Sequence, residues 1–445
     1  MEEKKLRIGY SHTYLCGHLN TSKSAHEVES CDSRWKREIL EEAEYRNIGN
    51  FYYESFIDSL VEVKQHKQHG VYGGTAHLTL KRDILCRLNH PKLGPNGWEF
   101  TVCQLHLFFF PYDICLFAIE IDEKENCDPN QLTMAHSLLR DVNSYERIIG
   151  KERILLDAPQ YIETIQPLLK VCEVTDNKGK VSYTPQYTDL AHTGNKLKAF
   201  QIIGANEFSD ELLFELGTMS PIGCVKDHTQ FLSPSASYFN EIINDNTISA
   251  FQNWKALALF DTFTIIQKDG DAQNLWLWRD SYFRLIYIHA FYQKALLFVV
   301  NNLFRSDAAH GKCATLLQQM KEQEHWYAFT NISYNFLPQM IYKAIDHGLE
   351  IASEREQLHH YLVQEADRQE SLREQHIGKL LTALTLLAVL SALYDGTSLI
   401  REVFGFELGS CPHQWTAGGL LIVVVLIFLI WICTYYRRKK QDHLP

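Results

Sequence analysis

The pattern of apolar and polar residues predicts strands in the first part of the chain. Three runs rich in apolar residues, GGTAHLTLKRDILCRL, WEFTVCQLHLFFF and DICLFAIEID, lie between residues 69 and 123 and are separated by short breaks that contain Pro, Gly or Asp. Runs of this length with tight connections are typical of sheet strands. The segment KAFQIIG at residues 198–204 predicts another strand.

Helical signals accompany these strands. Helical patterning occurs around residues 38–66 and 131–149, and Ser209 stands in a capping position before the segment DELLFELG. Strands and helices that alternate in this way predict an α/β unit over residues 1–270.

The chain after residue 270 predicts helices. The pattern indicates one long helix over residues 276–305 and another over residues 313–329, and Pro338 marks the start or a kink of the last. From residue 339 to residue 394 there is no proline, which allows one continuous helix. The middle of this helix is heavily charged, so a lone copy would bury little apolar surface, and this favours self-association around an axis.

A run of twenty uncharged residues predicts a transmembrane helix over residues 417–436. At about 1.5 Å per residue, AGGLLIVVVLIFLIWICTYY spans the roughly 30 Å of a bilayer core. Trp415 precedes the run, and tryptophan and tyrosine residues crowd its end, as in an aromatic belt. The basic residues that follow predict a cytoplasmic membrane anchor at anionic lipid headgroups. They are Arg437, Arg438, Lys439 and Lys440.

A shorter uncharged run at residues 380–394 is interpreted as the first span. Together with residues 396–400 it reaches about 30 Å as a helix. A second span directed inward requires one earlier crossing if the N-terminal part is cytoplasmic, and the rival segment at residues 276–304 carries charged residues every few positions. The sequence therefore predicts a hairpin with both termini in the cytoplasm.

These elements predict an α+β protein with four regions. They are a cytoplasmic α/β sensor domain at residues 1–270, a helical stalk at residues 271–376, a two-helix transmembrane hairpin at residues 377–436 and a basic cytoplasmic tail at residues 437–445. We expect copies to form a homo-oligomer in the inner (plasma) membrane.

Charge and cysteine content narrow the function classes. The net charge of −11 argues against direct nucleic acid binding. The eleven cysteines are scattered without the short paired spacings of a secreted disulfide scaffold, so a reducing compartment is expected. The N-terminal residues lack the apolar stretch of a secretion signal, which is consistent with a cytoplasmic bulk.

Small and weakly polar residues recur on one stripe of the first span. Such a stripe has two interpretations: close packing between transmembrane helices, or the wall of an aqueous pore in which hydroxyl groups partly replace the hydration of an ion. Acidic residues at the outer mouth would concentrate a permeant cation. The predicted pore-lining residues are Thr382, Thr385, Val389, Ala392, Asp395, Gly396 and Thr397, and the predicted outer-mouth residues are Glu402 and Glu407.

This arrangement of elements resembles the CorA-type magnesium transporter superfamily, whose members are funnel-shaped homopentamers. An α/β cytoplasmic domain, a long helix that enters the membrane, a short outer loop, a second span and a basic tail all match that plan. The family ends its first span with Gly-Met-Asn after a tyrosine, whereas Asp395, Gly396 and Thr397 follow Tyr394 here. The asparagine ring and magnesium selectivity are therefore not carried over.

The resemblance implies a funnel-shaped homo-oligomer that acts as a membrane ion channel or transporter and is gated by a cytoplasmic ligand. Divergent CorA-like proteins include antiviral effectors of type III CRISPR systems that respond to an adenosine-containing signal nucleotide, and we expect this subgroup. The alternatives are a divalent-cation transporter of magnesium homeostasis and a non-conducting, membrane-tethered sensor or scaffold.

The sequence pattern identifies no ligand-binding or catalytic residues. No catalytic motif is present, so an enzyme is not expected. A regulatory nucleotide or a divalent cation is the expected ligand. The histidine pair His359-His360 with Glu356 on the stalk has two interpretations, a solvated helix face, which the charged pattern favours, and a divalent-ion or pH sensor. The spacing of His12, Cys16, His18 and Cys31 matches no established zinc motif, so no metal site is predicted.

Overall fold

The structure, a computed structural model, divides by its contacts into two compact units, Met1–Ala366 and Asp367–Pro445. It describes residues 6–20, 24–64, 75–88, 90–95, 97–123, 127–140, 172–175, 181–184, 196–207, 209–230, 232–268, 275–305 and 313–404.

A nine-stranded sheet is the centre of the first unit. Its order is β11-β12-β13-β10-β1-β7-β6-β5-β2, with β10 and β13 parallel and the other neighbours antiparallel. Two small sheets, β3-β4 and β8-β9, accompany it. The strands are β1 Ile8–Asn20, β2 Lys36–Arg37, β3 Ile39–Leu40, β4 Glu62–Val63, β5 Ala76–Leu88, β6 Trp98–Phe110, β7 Ile114–Glu123, β8 Cys172–Thr175, β9 Val181–Thr184, β10 Lys198–Ala205, β11 Thr247–Phe251, β12 Trp254–Ala258 and β13 Thr262–Lys268.

The helices include one long segment of π-helix, Leu277–Tyr287. The α-helices are α1 Ala25–Cys31, α2 Glu42–Gly49, α3 Glu54–Leu60, α4 Pro129–Leu139, α5 Asp210–Thr218, α6 Ala236–Asn246, α7 Ile288–Arg305, α8 Cys313–Tyr327, α9 Phe336–Gly348 and α10 Ile351–Phe404. The α+β class and the large sheet agree with the sequence analysis.

Each face of the large sheet packs against its own hydrophobic core. Because side chains alternate along β1, Tyr14 and Cys16 belong to one core and Leu15 to the other. The core of Tyr14 is shared with the π-helix, with α7 to α9, and with Leu358 and Leu362 at the start of α10. The core of Leu15 is shared with residues of α1, α4 and α5.

The strong apolar runs were predicted well, and the strand β1 was missed. The predicted strands at residues 98–110 and 198–204 are present as β6 and β10, and Ser209 caps α5 by accepting a hydrogen bond from the backbone N–H of Leu212 at 3.2 Å. The central strand β1 contains serine, threonine and histidine at buried positions, so its apolar pattern is weak.

The last predicted helix is two helices. The chain breaks between α9 and α10, where Glu350 adopts a left-handed conformation with φ of 56°. The sequence analysis placed a boundary at residue 270, whereas by contacts the helices from residue 275 to Ala366 belong to the same compact unit as the sheet. They do so because their apolar faces fill one of its two cores.

Within the described part of the chain, two helices are long and apolar enough to cross a membrane, Leu277–Arg305 and Ile351–Ala392. The first is 89% buried over its most apolar window and therefore packs as a core helix of the first unit. The predicted second span at residues 417–436, the outer-mouth residue Glu407 and the basic residues Arg437, Arg438, Lys439 and Lys440 lie outside the described residues.

Candidate functional site

A polar cleft of about 230 Å³ lies between one face of the large sheet and the π-helix. Strands β1, β5, β6 and β7 supply its floor, and the π-helix supplies Arg279, Asp280, Phe283 and Arg284. Long π-helical segments are rare and are frequently found at functional sites, which makes this cleft the first candidate.

Strand register brings the polar side chains of the floor together. Glu120 on β7 pairs with Tyr14 on β1 and with Gln104 on β6. His77 and His106 lie on the adjacent strands β5 and β6, where His106 pairs with Thr79, two residues after His77. Because residues two apart on a strand share a face, all of these side chains point to the same side of the sheet.

Glu120 is the centre of a buried ion and hydrogen-bond network. It is 2% exposed, it pairs with the guanidinium of Arg279, and its other oxygen lies 2.9 Å from Nε2 of His106. His12 Nε2 lies 3.4 Å away. Burial by itself raises the pKa of the Glu120 carboxyl, but the hydrogen bonds from His106 and His12 outweigh it and hold that pKa well below its ordinary value. The carboxylate is therefore ionised.

His12 links this network to Asp122. Its Nδ1 contacts the carboxylate of Asp122. Burial alone would lower the pKa of His12, yet the two carboxylates Asp122 and Glu120 together raise it. The result is a cationic side chain between two anionic ones.

The two histidines of the cleft form a hydrogen-bond chain from Glu120. Nε2 of His106 lies 2.9 Å from the carboxylate of Glu120, and Nδ1 of His106 lies 3.1 Å from Nε2 of His77. Nδ1 of His77 is buried without a partner among the described residues. Burial, helped by Arg284 and His106, lowers the pKa of His77, which agrees with a neutral ring.

Aromatic rings close the apolar side of the cleft. Tyr14 stacks on Phe283 of the π-helix with ring centroids 3.6 Å apart, and His77 stacks on Phe108 at 4.2 Å. Arg279 donates an N–H to the hydroxyl of Tyr14 at 3.3 Å. Burial raises the pKa of Tyr14, so its hydroxyl remains protonated. The cleft therefore brings ionic groups, a neutral histidine and flat apolar surfaces close together.

The histidines and cysteines near the N-terminus do not form a metal centre with one another. His12, Cys16 and His18 are buried on β1, and Cys31 is exposed on α1. Within the described ranges, no group of three or more histidine, cysteine or acidic residues has an arrangement that would hold a metal ion.

The predicted pore residues that the structure describes lie on α10. The hydroxyl of Thr382 donates to the carbonyl of Gly378 at 2.7 Å, and that of Thr385 donates to the carbonyl of Leu381 at 2.8 Å. Both hydroxyls therefore bond to their own helix. The structure places Val389, Ala392, Asp395, Gly396 and Glu402 at exposed positions of α10, and it includes Thr397 in the same helix.

Sequence reasoning did not predict the cleft. Its charged groups Arg279, Asp280 and Arg284 served there to argue against a membrane span, and His106 and Glu120 stood inside apolar strand runs. The available signal was the presence of ionisable residues at positions where the strand pattern requires a buried side chain.

Comparison with protein families and with curated proteins identifies no relative of this chain. A scan against protein-family models finds no match to this chain, and a search of curated proteins finds no significant match either.

Proposed function

We propose that the protein is a CorA-like membrane ion channel or transporter that is gated by a small ligand in the cleft of its first unit. The observation that carries this proposal is the helix α10, which runs uninterrupted from Ile351 to Phe404. Leu358 and Leu362 near its start are buried in the core of the sheet, whereas Leu384 and Leu387 further along are 62% and 61% exposed. A helical segment whose apolar side chains are exposed in this way is compatible with a bilayer environment.

The same helix therefore contains both the buried leucines and the apolar segment. The π-helix of the cleft continues directly into α7, and Lys294 of α7 pairs with Glu354 of α10. A ligand that biases the π-helix between two packings would reach α10 through these contacts. We propose the adenosine-containing signal nucleotide of type III CRISPR systems as the activating ligand, on the resemblance alone.

The assembly and topology complete the proposal. Five copies would surround a cation path lined by Thr382, Thr385 and Asp395, in the inner membrane with both termini cytoplasmic. The test is cation flux through the purified protein in liposomes, with and without candidate nucleotides. Thr385→Leu should reduce the flux, and Leu384→Ile, a neighbour outside the stripe, should not. Absence of flux under all conditions would contradict conduction.

A membrane-tethered sensor without conduction is the second candidate. The hydroxyls of Thr382 and Thr385 already bond to backbone carbonyls, and small residues with satisfied hydroxyls are typical of packed transmembrane helices. A mass measurement in mild detergent would give the copy number for both candidates. Oligomers whose liposomes pass no cation, with assembly weakened in Thr385→Leu, would favour the sensor, because a larger side chain disturbs close helix packing.

A further inference from the structure

A buried polar side chain connects α7 to α10. Gln293 lies on α7, the helix that follows the π-helix directly, and it is 2% exposed. A buried amide is unfavourable unless its hydrogen bonds are made, so its partners determine whether it can stay there. Those partners come from α10, from α9, from the end of α8 and from α7 itself.

Arg355 fixes the orientation of this amide. The guanidinium of Arg355, near the start of α10, donates to Oε1 of Gln293. Because a guanidinium has donors only, the amide oxygen must face α10 and the amide nitrogen must face the other way. The opposite orientation would place two donors against each other.

His289 accepts from the other end of the amide, and a backbone carbonyl determines its tautomer. Nε2 of His289 lies 2.8 Å from the carbonyl oxygen of Tyr327, which can only accept, so Nε2 carries a hydrogen. Burial lowers the pKa of His289 to about 4, so the ring is neutral at pH 7 and Nδ1 is an acceptor. The amide nitrogen of Gln293 donates to this Nδ1 at 3.2 Å. It also lies 3.4 Å from the Tyr327 carbonyl oxygen and 3.5 Å from the Tyr342 hydroxyl.

The adjacent contact between the two helices restricts them less. Lys294 pairs with Glu354, but the Glu354 side chain is 29% exposed, and an ion pair in contact with water contributes little. The amide of Gln293 is buried, and only one of its two orientations satisfies Arg355 and His289 together. Buried networks of this kind specify one arrangement of the elements that they join.

We infer that Gln293 is the positioning residue through which the π-helix sets the position of α10. The π-helix ends at Tyr287, and α7 continues from it with His289 and Gln293, so a change that rotates the start of α7 moves the amide away from Arg355. The start of α10 then loses this bond. The inference deepens the proposed function, on which it rests, by naming the residue that connects the cleft to α10.

The first test is hydrogen exchange of the full-length protein in detergent, followed by mass spectrometry of peptides from residues 351–362. Gln293→Met keeps the size of the side chain and removes its polar atoms. It should accelerate exchange in these residues about tenfold, because Arg355 loses its acceptor. Gln318→Met, at an exposed glutamine of α8, is the control and should leave exchange unchanged. Unchanged exchange in Gln293→Met, or equal acceleration in β10, would overturn the inference.

The same bond is also broken from its partly exposed end. Arg355→Met should accelerate exchange in residues 351–362, and Arg355→Lys, which can still donate, should restore part of the protection. The double variant with Gln293→Met should exchange no faster than the faster single variant, because both remove one bond. Additive effects would mean that the two side chains act separately and would contradict the inference.

The pKa of His289 reports the orientation of the amide, which a merely space-filling side chain would not affect. Gln293→Glu places an anionic acceptor beside the ring, so the pKa of His289 should rise by about 1 to 3 pH units. An NMR titration of ring-labelled histidine measures it, with His289→Gln to identify the signal. An unchanged pKa would mean that the amide nitrogen does not face the ring.

Transmission from the cleft is measured without a ligand by a substitution in the π-helix. Arg279→Gln removes the ion pair with Glu120 and should accelerate exchange in residues 351–362 about threefold. With Gln293→Met already present, the same substitution should have no further effect, because the connecting bond is absent. No effect of Arg279→Gln alone, or equal effects in both backgrounds, would overturn the inference.

Failure of this inference is distinguishable from failure of the proposed function, because hydrogen exchange requires neither a ligand nor flux. If the exchange results are as expected and no cation passes in liposomes, the inference stands and conduction fails. If flux responds to a nucleotide equally well in Gln293→Met, conduction stands and the inference fails.

Discussion

Two helices of this protein have equal mean hydropathy over their most apolar windows and opposite surroundings. The window in Leu277–Arg305 is 89% buried within the first unit, whereas the window in Ile351–Ala392 is not buried at all. Composition over one window therefore does not distinguish a core helix from a membrane-span candidate. The placement of the charged residues along the helix does.

Several polar groups of the buried helix have specific partners in the protein. Arg279 pairs with Glu120, Lys294 pairs with Glu354, and His289 Nε2 lies 2.8 Å from the carbonyl oxygen of Tyr327. Polar groups distributed in this way require a protein environment, because lipid offers no such partners. Between Ile351 and Ala392 the exposed helix has its charged residues before residue 380, and residues 380–392 have none.

The largest expected effect comes from truncating the buried helix. Phe291 is 0% exposed in the core that the π-helix and the sheet share. Phe291→Ala should lower the free energy of unfolding by about 3 to 5 kcal/mol, because it leaves a cavity. Leu384→Ala, at a side chain that is 62% exposed, should change it by less than about 0.5 kcal/mol. Denaturant unfolding in mild detergent measures both, and equal losses would remove the contrast between the helices.

A charge in the exposed helix tests its membrane role. Leu384→Arg should make insertion less favourable by about 3 kcal/mol, because arginine is costly at the centre of a span. Because the predicted second span at residues 417–436 would keep the chain in the membrane, the measurement is the side on which the C-terminus lies, by labelling a C-terminal tag in sealed vesicles. Leu384→Arg should move the C-terminus to the outer side in part of the molecules, and Glu370→Arg, in the charged first part of the same helix, is the matched control and should leave it in place. If the C-terminus stays on the same side in Leu384→Arg, residues 380–392 do not act as a span.

Acid should weaken the buried helix through His289. Burial lowers the pKa of His289 to about 4 from its ordinary 6.5. The neutral ring therefore contributes stability that is fully present above pH 6.5 and is lost as the pH falls towards 4. That loss amounts to about 3 kcal/mol. In His289→Gln, the decrease of unfolding free energy between pH 6.5 and 4 should be smaller by about this amount.

The exposed helix supplies the control for this pH dependence. His360 is an exposed side chain of α10, and His360→Gln should leave the decrease between pH 6.5 and 4 unchanged. Denaturant titrations at several pH values measure the two variants. If the decrease of unfolding free energy between pH 6.5 and 4 is unchanged in His289→Gln, the His289 ring is protonated in the folded protein over the same pH range as in the unfolded chain.

The contrast also explains which parts of the fold the sequence predicts. The strands β6 and β7 follow from apolar runs, because their side chains are buried on both faces of the sheet. The rejection of residues 276–304 as a span follows from charges spaced along them. The strand β1 does not follow, because its buried His12 and Thr13 interact with Asp122 and His136, which are far away in the chain.

The cleft was not predictable from local patterns. Glu120 gains these partners only when the register of β6 and β7 places it near His106 and the π-helix places Arg279 beside it. No residue spacing in the sequence indicates these contacts. The pore stripe on α10 was predictable because the period of one helix determines it, and its role in conduction remains a prediction.

The smallest expected effect concerns the junction between α9 and the exposed helix. Glu350 has a φ of 56°, a conformation that costs a residue with a side chain about 1 kcal/mol more than glycine. Glycine lies two positions earlier, at Gly348, where an added Cβ would come within 2.8 Å of the backbone of Ala258. Close packing against Ala258 therefore requires glycine at position 348, whereas the left-handed backbone conformation lies at Glu350, which has a side chain.

Substitution with glycine separates backbone strain from side-chain contributions at this junction. Glu350→Gly should raise the free energy of unfolding by about 1 kcal/mol, since the backbone bonds from Glu350 to His347 and from Glu354 to Glu350 remain. Glu356→Gly, inside α10, should lower it by about 1 kcal/mol. Thermal unfolding compares the two. A loss in Glu350→Gly would mean that its carboxylate, in the groove of about 330 Å³ that it lines with Lys294 and Glu354, contributes more than the backbone conformation costs.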